Sequence, residues 1–356
     1  MTAPDDTSTP SSARLPAGVG AALLAAALFG AGTPLAKALM AGIGPWMLAG
    51  LLYLGSGLGL LLLRLVRRAP SARLEPGEWP WLAGAVLAGG VLGPVLLMFG
   101  LSGMPASGAS LLLNAEGVFT ALLAWFAFKE NFDRRIALGM LAIVAGAVVL
   151  SWPGQAQFGA LWPALAVLGA CLAWGVDNNL TRKVSLADAS WVAMVKGLAA
   201  GSVNLAIAFA LGAQLPPWPS LAGSAVLGFM SYGISLTLFV VALRHLGTAR
   251  TGAYFSVAPF FGAALAVLLL GERVTPALLV AGALMALGVW LHLSERHAHP
   301  HAHDALEHEH EHEHDVHHAH HEPGEAPPSR HTHRHRHEPT EHSHAHFPDE
   351  HHRHSH

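Results

Sequence analysis

Runs of about twenty apolar residues, the length a helix needs to cross roughly 30 Å of hydrocarbon, recur along this chain with only short interruptions. Ten are counted, over 17–39, 45–66, 79–101, 104–128, 134–152, 160–183, 188–212, 221–246, 249–270 and 274–294. Inside lipid every backbone N–H and C=O must find its partner within the protein, so runs of this length are read as membrane helices. Composition agrees, because only 12% of residues are charged and the mean hydropathy stays at +0.42 with a very polar end averaged in. Seven tryptophans (Trp46, Trp79, Trp81, Trp152, Trp162, Trp191 and Trp218) fall near run ends, where an indole keeps its N–H wet and its ring in lipid.

If the runs alternate across a bilayer, the Lys and Arg residues collect on one side. Arg14, Arg64, Arg67, Arg68, Arg73, Lys129, Arg134, Arg135, Arg182, Lys183, Arg244, Arg250 and Arg296 face that side, and Lys37 and Arg273 the other. The bias places both termini in the cytoplasm, at the cell's inner membrane. Residues 1–15 are rich in Thr, Ser and Pro and read as a disordered leader. The first apolar run is longer than a signal peptide's core and lacks a clear cleavage site, so it is expected to be retained. The lone Cys171 excludes a disulfide framework and a CxxC metal site. No basic footprint for nucleic acid and no nucleophile–base constellation for an enzyme are found, and no cofactor is expected to be required.

The chain matches itself. At a shift of 145 residues Phe29-Gly30 and Lys37 fall on Trp174-Gly175 and Arg182; at 142, Leu101 to Glu130 falls on Leu243 to Glu272, pairing Phe119 with Phe261, Ala121 with Ala263 and Glu130 with Glu272. This divides the chain into a leader (1–15), a first repeat (16–152), a second repeat (153–296) and a tail (297–356). Five runs per repeat is an odd number, so the two copies must insert upside down relative to each other. Inverted repeats are a frequent carrier architecture, with the solute site near the midplane between the halves.

With ten spans in two halves, a Phe/Trp-Gly stretch of small residues opening each half, and a Pro- or Gly-centred fourth helix ending in Glu, the body from 17 to 295 resembles the EamA type of the drug/metabolite transporter superfamily. That resemblance implies a secondary carrier without an ATP-binding module, often an exporter of amino acids, metabolites or drugs. One departure from the family pattern is Glu116-Gly117 at the centre of the fourth span, where many relatives have proline; the second half keeps Ala258-Pro259.

Charged groups deep in a bilayer are costly and persist mainly where they line a wet path or meet a partner. Glu116 lies at the middle of the fourth span within Asn114-Ala115-Glu116-Gly117, Asp177 heads Asp177-Asn178-Asn179 in the sixth, and Lys196 sits at similar depth in the seventh. Glu116 is read as the coupling carboxylate that gains and loses a proton. Asn114, Asp177, Asn178, Asn179 and Lys196 are read as solute contacts. The structural alternative pairs Asp177 with Lys196 and leaves Glu116 hydrogen-bonded to a nearby Ser or Asn. Cys171, Gly175 and Asn178 share a helical spacing that could face one cavity or serve packing alone. His245 and His292 are read as snorkelling or capping groups, and Lys37 and Arg182 as span ends with anion contact as the rival. Gly55-xxx-Gly59 and Gly197-xxx-Gly201 allow close helix approach, within a monomer or in a homodimer. Pro34, Pro94 and Pro259 should interrupt the backbone ladder of spans one, three and nine.

The tail holds 23 of the chain's 25 histidines, since only His245 and His292 lie outside it. Imidazoles spaced by one residue suit nickel, cobalt or zinc, and the candidate ligands are His308, His310, His312, His314, His317, His318, His320, His321, His331, His333, His335 and His337. With almost no large apolar side chains the tail is expected to be disordered without metal. A solvated polyampholyte and a pH sensor are the alternatives. Together these features suggest an all-α membrane protein that exports a divalent transition metal in exchange for protons, fed by the tail. The rivals are an exporter of a small organic solute whose tail only buffers or senses metal, and a non-transporting metal store or sensor.

Overall fold

A computed structural model describes residues 18–69, 74–128, 134–151, 161–184 and 188–293, together with four short segments between 298 and 345. The chain forms two compact units, Met1–Ser294 and Glu295–His356.

In the first unit every regular element among the described residues is helical. The helices are α1 (Val19–Leu39), α2 (Pro45–Arg67), α3 (Trp79–Ala85), α4 (Gly93–Gly103), α5 (Ala106–Leu112), α6 (Ala115–Phe128), α7 (Arg134–Ser151), α8 (Trp162–Thr181), α9 (Ala189–Ala210), α10 (Trp218–Gly228), α11 (Ser235–Phe255), α12 (Ala258–Leu270) and α13 (Pro276–Leu293). Six stretches are long and apolar enough to cross a membrane: Val19–Leu39, Pro45–Arg67, Trp79–Gly103, Ala106–Leu123, Ala189–Ala210 and Trp218–Ala242. Shorter apolar helices cover Ala137–Ser151, Ala258–Leu270 and Pro276–Leu291. Large apolar side chains cover the outside, with Leu62, Val66, Phe126 and Leu268 all more than 60% exposed, as lipid-facing residues should be.

Several of the long runs are not plain α-helices. Val86–Leu92 joins α3 to α4 as a π-helical segment, and Phe229–Ile234 does the same between α10 and α11. Such segments skip a ladder bond and free carbonyls, and they gather at functional sites. The run expected as one fourth span breaks at Leu113-Asn114 into α5 and α6, and the ninth breaks at Ser256-Val257 ahead of α12. Asn114 explains the first break, since its amide turns back onto the Leu111 carbonyl at 2.8 Å and competes with the helix ladder. Pro259 explains the second, because a proline near a helix start has no N–H to lose. Pro94 likewise opens α4 after the π-helical segment, whereas Pro34 lies buried within α1.

The core is packed through small residues. A side chain on Gly57 would strike the backbone of Gly197 and Leu198, and one on Gly201 would strike Leu54, so α2 and α9 run almost backbone to backbone. Gly55 meets the backbone of Ala225 in the same way, and Gly59 the ring of Phe229. These close approaches are made within one chain.

In the second unit the described residues are extended. Four strands, β1 (Ala298–His303), β2 (Leu306–His312), β3 (His331–His337) and β4 (Thr340–Ala345), pair antiparallel as β1 with β4 and β2 with β3. The X-His alternation has the two-residue period of a strand, and the register sets Glu307 and Glu309 opposite Arg336 and Arg334. His308, His310 and His312 fall opposite His335, His333 and His331. Of the other proposed metal ligands, His314, His317, His318, His320 and His321 lie outside the described residues, and His337 falls opposite Leu306.

Candidate functional site

The polar residues of the body converge where α8 crosses the π-helical segment of Val86–Leu92. Gly89 makes the crossing feasible: a Cβ there would collide with the Asp177 carboxylate. Asp177 is 6% exposed and receives Lys196 Nζ at 2.5 Å and 2.6 Å on its two oxygens. The Thr181 hydroxyl donates to Asp177 Oδ1 at 2.8 Å. The ion pair offered as the structural alternative is therefore formed.

One residue along the chain, Asn178 points from α8 toward α6. Its amide donates to Glu116 Oε1 at 2.9 Å and reaches Thr120 Oγ1 at 3.2 Å. Glu116 does not sit in mid-helix as the sequence suggested. The break at Leu113-Asn114 puts it in the first turn of α6.

Asn179 donates to Gly175 O of its own helix at 2.8 Å and to Thr120 O of α6 at 3.1 Å. Asn114 is not part of the cluster. It is 7% exposed and faces Met285 Sδ at 3.9 Å, because its amide serves the helix break. Cys171 is fully buried against the Leu112 carbonyl at 3.5 Å, so it packs and does not share a cavity with Asn178. The side chains of Arg182, His245 and His292 lie outside the described residues.

A cavity of about 360 Å³ adjoins this cluster, and its lining includes Asn178, Thr181, Lys196, Tyr53, Tyr232 and Leu236. Tyr53 and Tyr232 stack at 5.4 Å between ring centroids, and Phe29 meets Tyr232 edge-on at 5.9 Å. The lining therefore combines a charged and an amide side chain with two aromatic rings, the combination of apolar surface with a few placed polar groups that binds small molecules.

Sequence reasoning missed the groups that hold this geometry. Tyr53 Oη and Trp174 Nε1 both donate to Gly89 O, at 2.8 Å and 2.9 Å, and Asn204 Nδ2 donates to Gly90 O at 3.0 Å. These three donors satisfy the carbonyls that the π-helical segment releases. The Gly89-Gly90 pair five residues ahead of Pro94 was the available signal.

A second charged arrangement lies at the other end of the Trp79–Gly103 rod. Val184, just after α8, packs against Leu82 near the rod's start, whereas Lys37 donates to the carbonyls of Leu101 and, at 3.2 Å, Met104 at its finish. Glu272 accepts from Ala106 N at 2.7 Å and Ser107 N at 2.9 Å. Lys37 and Glu272 thus grip the two sides of one bend, α4's carbonyl end and α5's N–H end. Near the rod's start, Arg64 pairs with Asp188 at 2.7 Å, and Asp188 caps α9 through Trp191 N at 2.9 Å.

Among the described residues there is no group of three or more His, Cys, Asp or Glu side chains placed to hold a metal ion. A multi-helix membrane body with an internal amphipathic crevice is the architecture of a transporter. The sequence profile of the EamA-like transporter family matches residues 16–152 and again residues 161–294, and the chain belongs to that family. It is 28% identical over 289 residues to an uncharacterized transporter of Methanothermobacter thermautotrophicus, covering 76% of this chain and 84% of that one. It is also 29% identical over 228 residues to a probable terminal-alkyne amino-acid exporter of Streptantibioticus cattleyicolor, covering 63% of this chain and 75% of the relative. A solved crystal structure shares the fold at a TM-score of 0.59 and 20% identity, covering 76% of this chain and 95% of the other.

Proposed function

We propose that this membrane transporter exports a small organic solute of the amino-acid kind, coupled to protons. The reading is carried by a cavity whose lining brings Lys196, Asn178 and Thr181 together with Tyr53 and Tyr232, which suits a molecule with one charged end and an apolar body. Similarity to a probable amino-acid exporter supports it. Ten spans in two inverted halves, with solute meeting the carrier between them and both termini at the cytoplasmic face of the inner membrane, complete the proposal. Glu116 is the coupling group, as the carboxylate that a crevice amide reaches directly.

Export of a divalent metal through the body gains no such support, since the described residues offer no ligand cluster along the path. Metal binding belongs to the tail, where paired histidine positions on β2 and β3 favour nickel, cobalt or zinc, and there it acts as a buffer.

The full chain in proteoliposomes, loaded with labelled neutral amino acids under an imposed proton gradient, tests this reading. Efflux should rise with the gradient in the parent and lose that response in Glu116→Gln. Nickel, cobalt and zinc should not leave the same vesicles. Gradient-driven metal flux without amino-acid flux would refute the proposal.

A further inference from the structure

Lys196 stands in the cavity wall beside Thr181, while Asp177 lies behind it, almost without exposure. The protons of the ammonium are taken by Asp177 Oδ1 at 2.5 Å, Asp177 Oδ2 at 2.6 Å and Thr181 Oγ1 at 3.3 Å. In geometry this is a cation already holding a carboxylate.

Two observations argue that the pair is not scaffolding. A buried ion pair rarely stabilises a fold more than well-packed apolar residues would, because desolvating both charges offsets their attraction. The chain also makes a like crossing without charge. A shift of 145 residues sets Gly32 on Asp177, and Gly32 packs against Ser231 of one π-helical segment just as Asp177 packs over Gly89 of the other. One crossing closes with a glycine and a serine, so the second has no structural need for an aspartate and a lysine.

Resting on the organic-solute reading above, we propose that Asp177 is an internal stand-in for the solute's carboxylate. In the empty carrier Asp177 occupies Lys196. An entering solute places its own carboxylate on the Lys196 ammonium and its apolar chain along Tyr53 and Tyr232, and Asp177 falls back on the Thr181 hydroxyl that it already accepts. The substrate class is small carboxylates bearing an apolar chain, amino acids among them, and amines without a carboxylate are excluded. Self-occupancy lowers apparent affinity by the fraction of carriers in which Lys196 is free, which also lets solute depart.

The test compares L-leucine, isocaproate, which lacks the ammonium, and isoamylamine, which lacks the carboxylate, as ligands of the full chain in detergent, followed by thermal unfolding. Leucine and isocaproate should raise the unfolding midpoint and isoamylamine should not. Asp177→Asn removes the competitor and should tighten both carboxylates by about tenfold. Thr181→Val, which loosens Asp177 while keeping the charge pair, should act in the same direction to a smaller extent. Lys196→Met should lose binding of both, and Lys196→Arg should retain it. Unchanged or weaker carboxylate affinity in both Asp177→Asn and Thr181→Val, or isoamylamine binding as well as leucine, overturns the proposal. Vesicle flux separates the two levels: leucine efflux with affinities indifferent to these substitutions removes the stand-in and leaves export standing. Absence of efflux for leucine and isocaproate removes the export reading and this one with it.

Discussion

At the finish of the Trp79–Gly103 rod, Lys37 and Glu272 are bonded to main-chain carbonyls and N–H groups; in the crevice, Lys196, Asp177, Asn178 and Glu116 are bonded to one another's side chains. Both places hold half-buried or buried charge in an apolar body, yet the chemistry differs in what can replace a partner. A backbone carbonyl at a helix end has no substitute short of moving the helix, so the Lys37 and Glu272 bonds fix the bend at Met104-Pro105. A carboxylate or amide held by a side chain can be exchanged for a solute's own group. Charges tied to backbone hold shape, and charges tied to side chains are available for binding.

Substitutions should therefore divide into those that cost stability and those that cost transport. The largest stability loss is expected for Gly89→Ala, whose Cβ enters the Asp177 carboxylate, with overpacking of about 1–3 kcal/mol or more; thermal unfolding in detergent reads it. Glu272→Ala should follow, at about 1–2 kcal/mol, because it leaves Ala106 N–H and Ser107 N–H without their acceptor. Preserved affinity for solute in the refolded fraction of Glu272→Ala would sharpen the contrast, and a loss of affinity without a loss of stability would break it. Asn178→Ala should reverse the pattern, with transport impaired and the unfolding midpoint nearly unchanged, since its amide lies on the exposed crevice surface.

The smallest effect concerns pH. Burial pushes the Asp188 carboxyl up, but bonds from Ser190, from Trp191 N–H and from the Arg64 guanidinium outweigh it, and the group lies below its usual range. A depressed folded value means the stabilisation is present above the unfolded value and is lost as pH falls through the folded one. Between neutrality and mild acid Asp188 should contribute no pH dependence, and Asp188→Asn should flatten the parent's stability curve only in stronger acid. A difference in slope near neutral pH would contradict this.

Much of the body was legible in the sequence because lipid imposes a harsh rule: uncharged runs of helical length have few other fates. The charged groups were legible for the same reason, as Glu116, Asp177 and Lys196 stand out against an apolar background. Their partners were only partly so. The Asp177–Lys196 pair followed from similar depth on neighbouring runs, whereas the bond from Asn178 to Glu116 depends on a helix break that period counting cannot see. Asn114 was assigned to the wrong task because an amide that caps a break and an amide that faces a solute leave the same mark in the sequence. In the tail, the period-two alternation and the Glu–Arg spacing match the register of the described strands.

The sequence by itself determined that this chain is a multi-helix membrane body of duplicated design with a histidine-rich end, because hydropathy, charge bias and self-similarity are additive properties of residues. Only the tertiary structure decided which carbonyls the π-helical segments release, which side chains answer them, and which amide meets Glu116. Those choices turn on contacts of about 3 Å or less between different helices, such as Glu116 with Asn178 and Trp174 with Gly89. Distances of that kind follow from helix crossing, and helix crossing is set by where two backbones find room to touch.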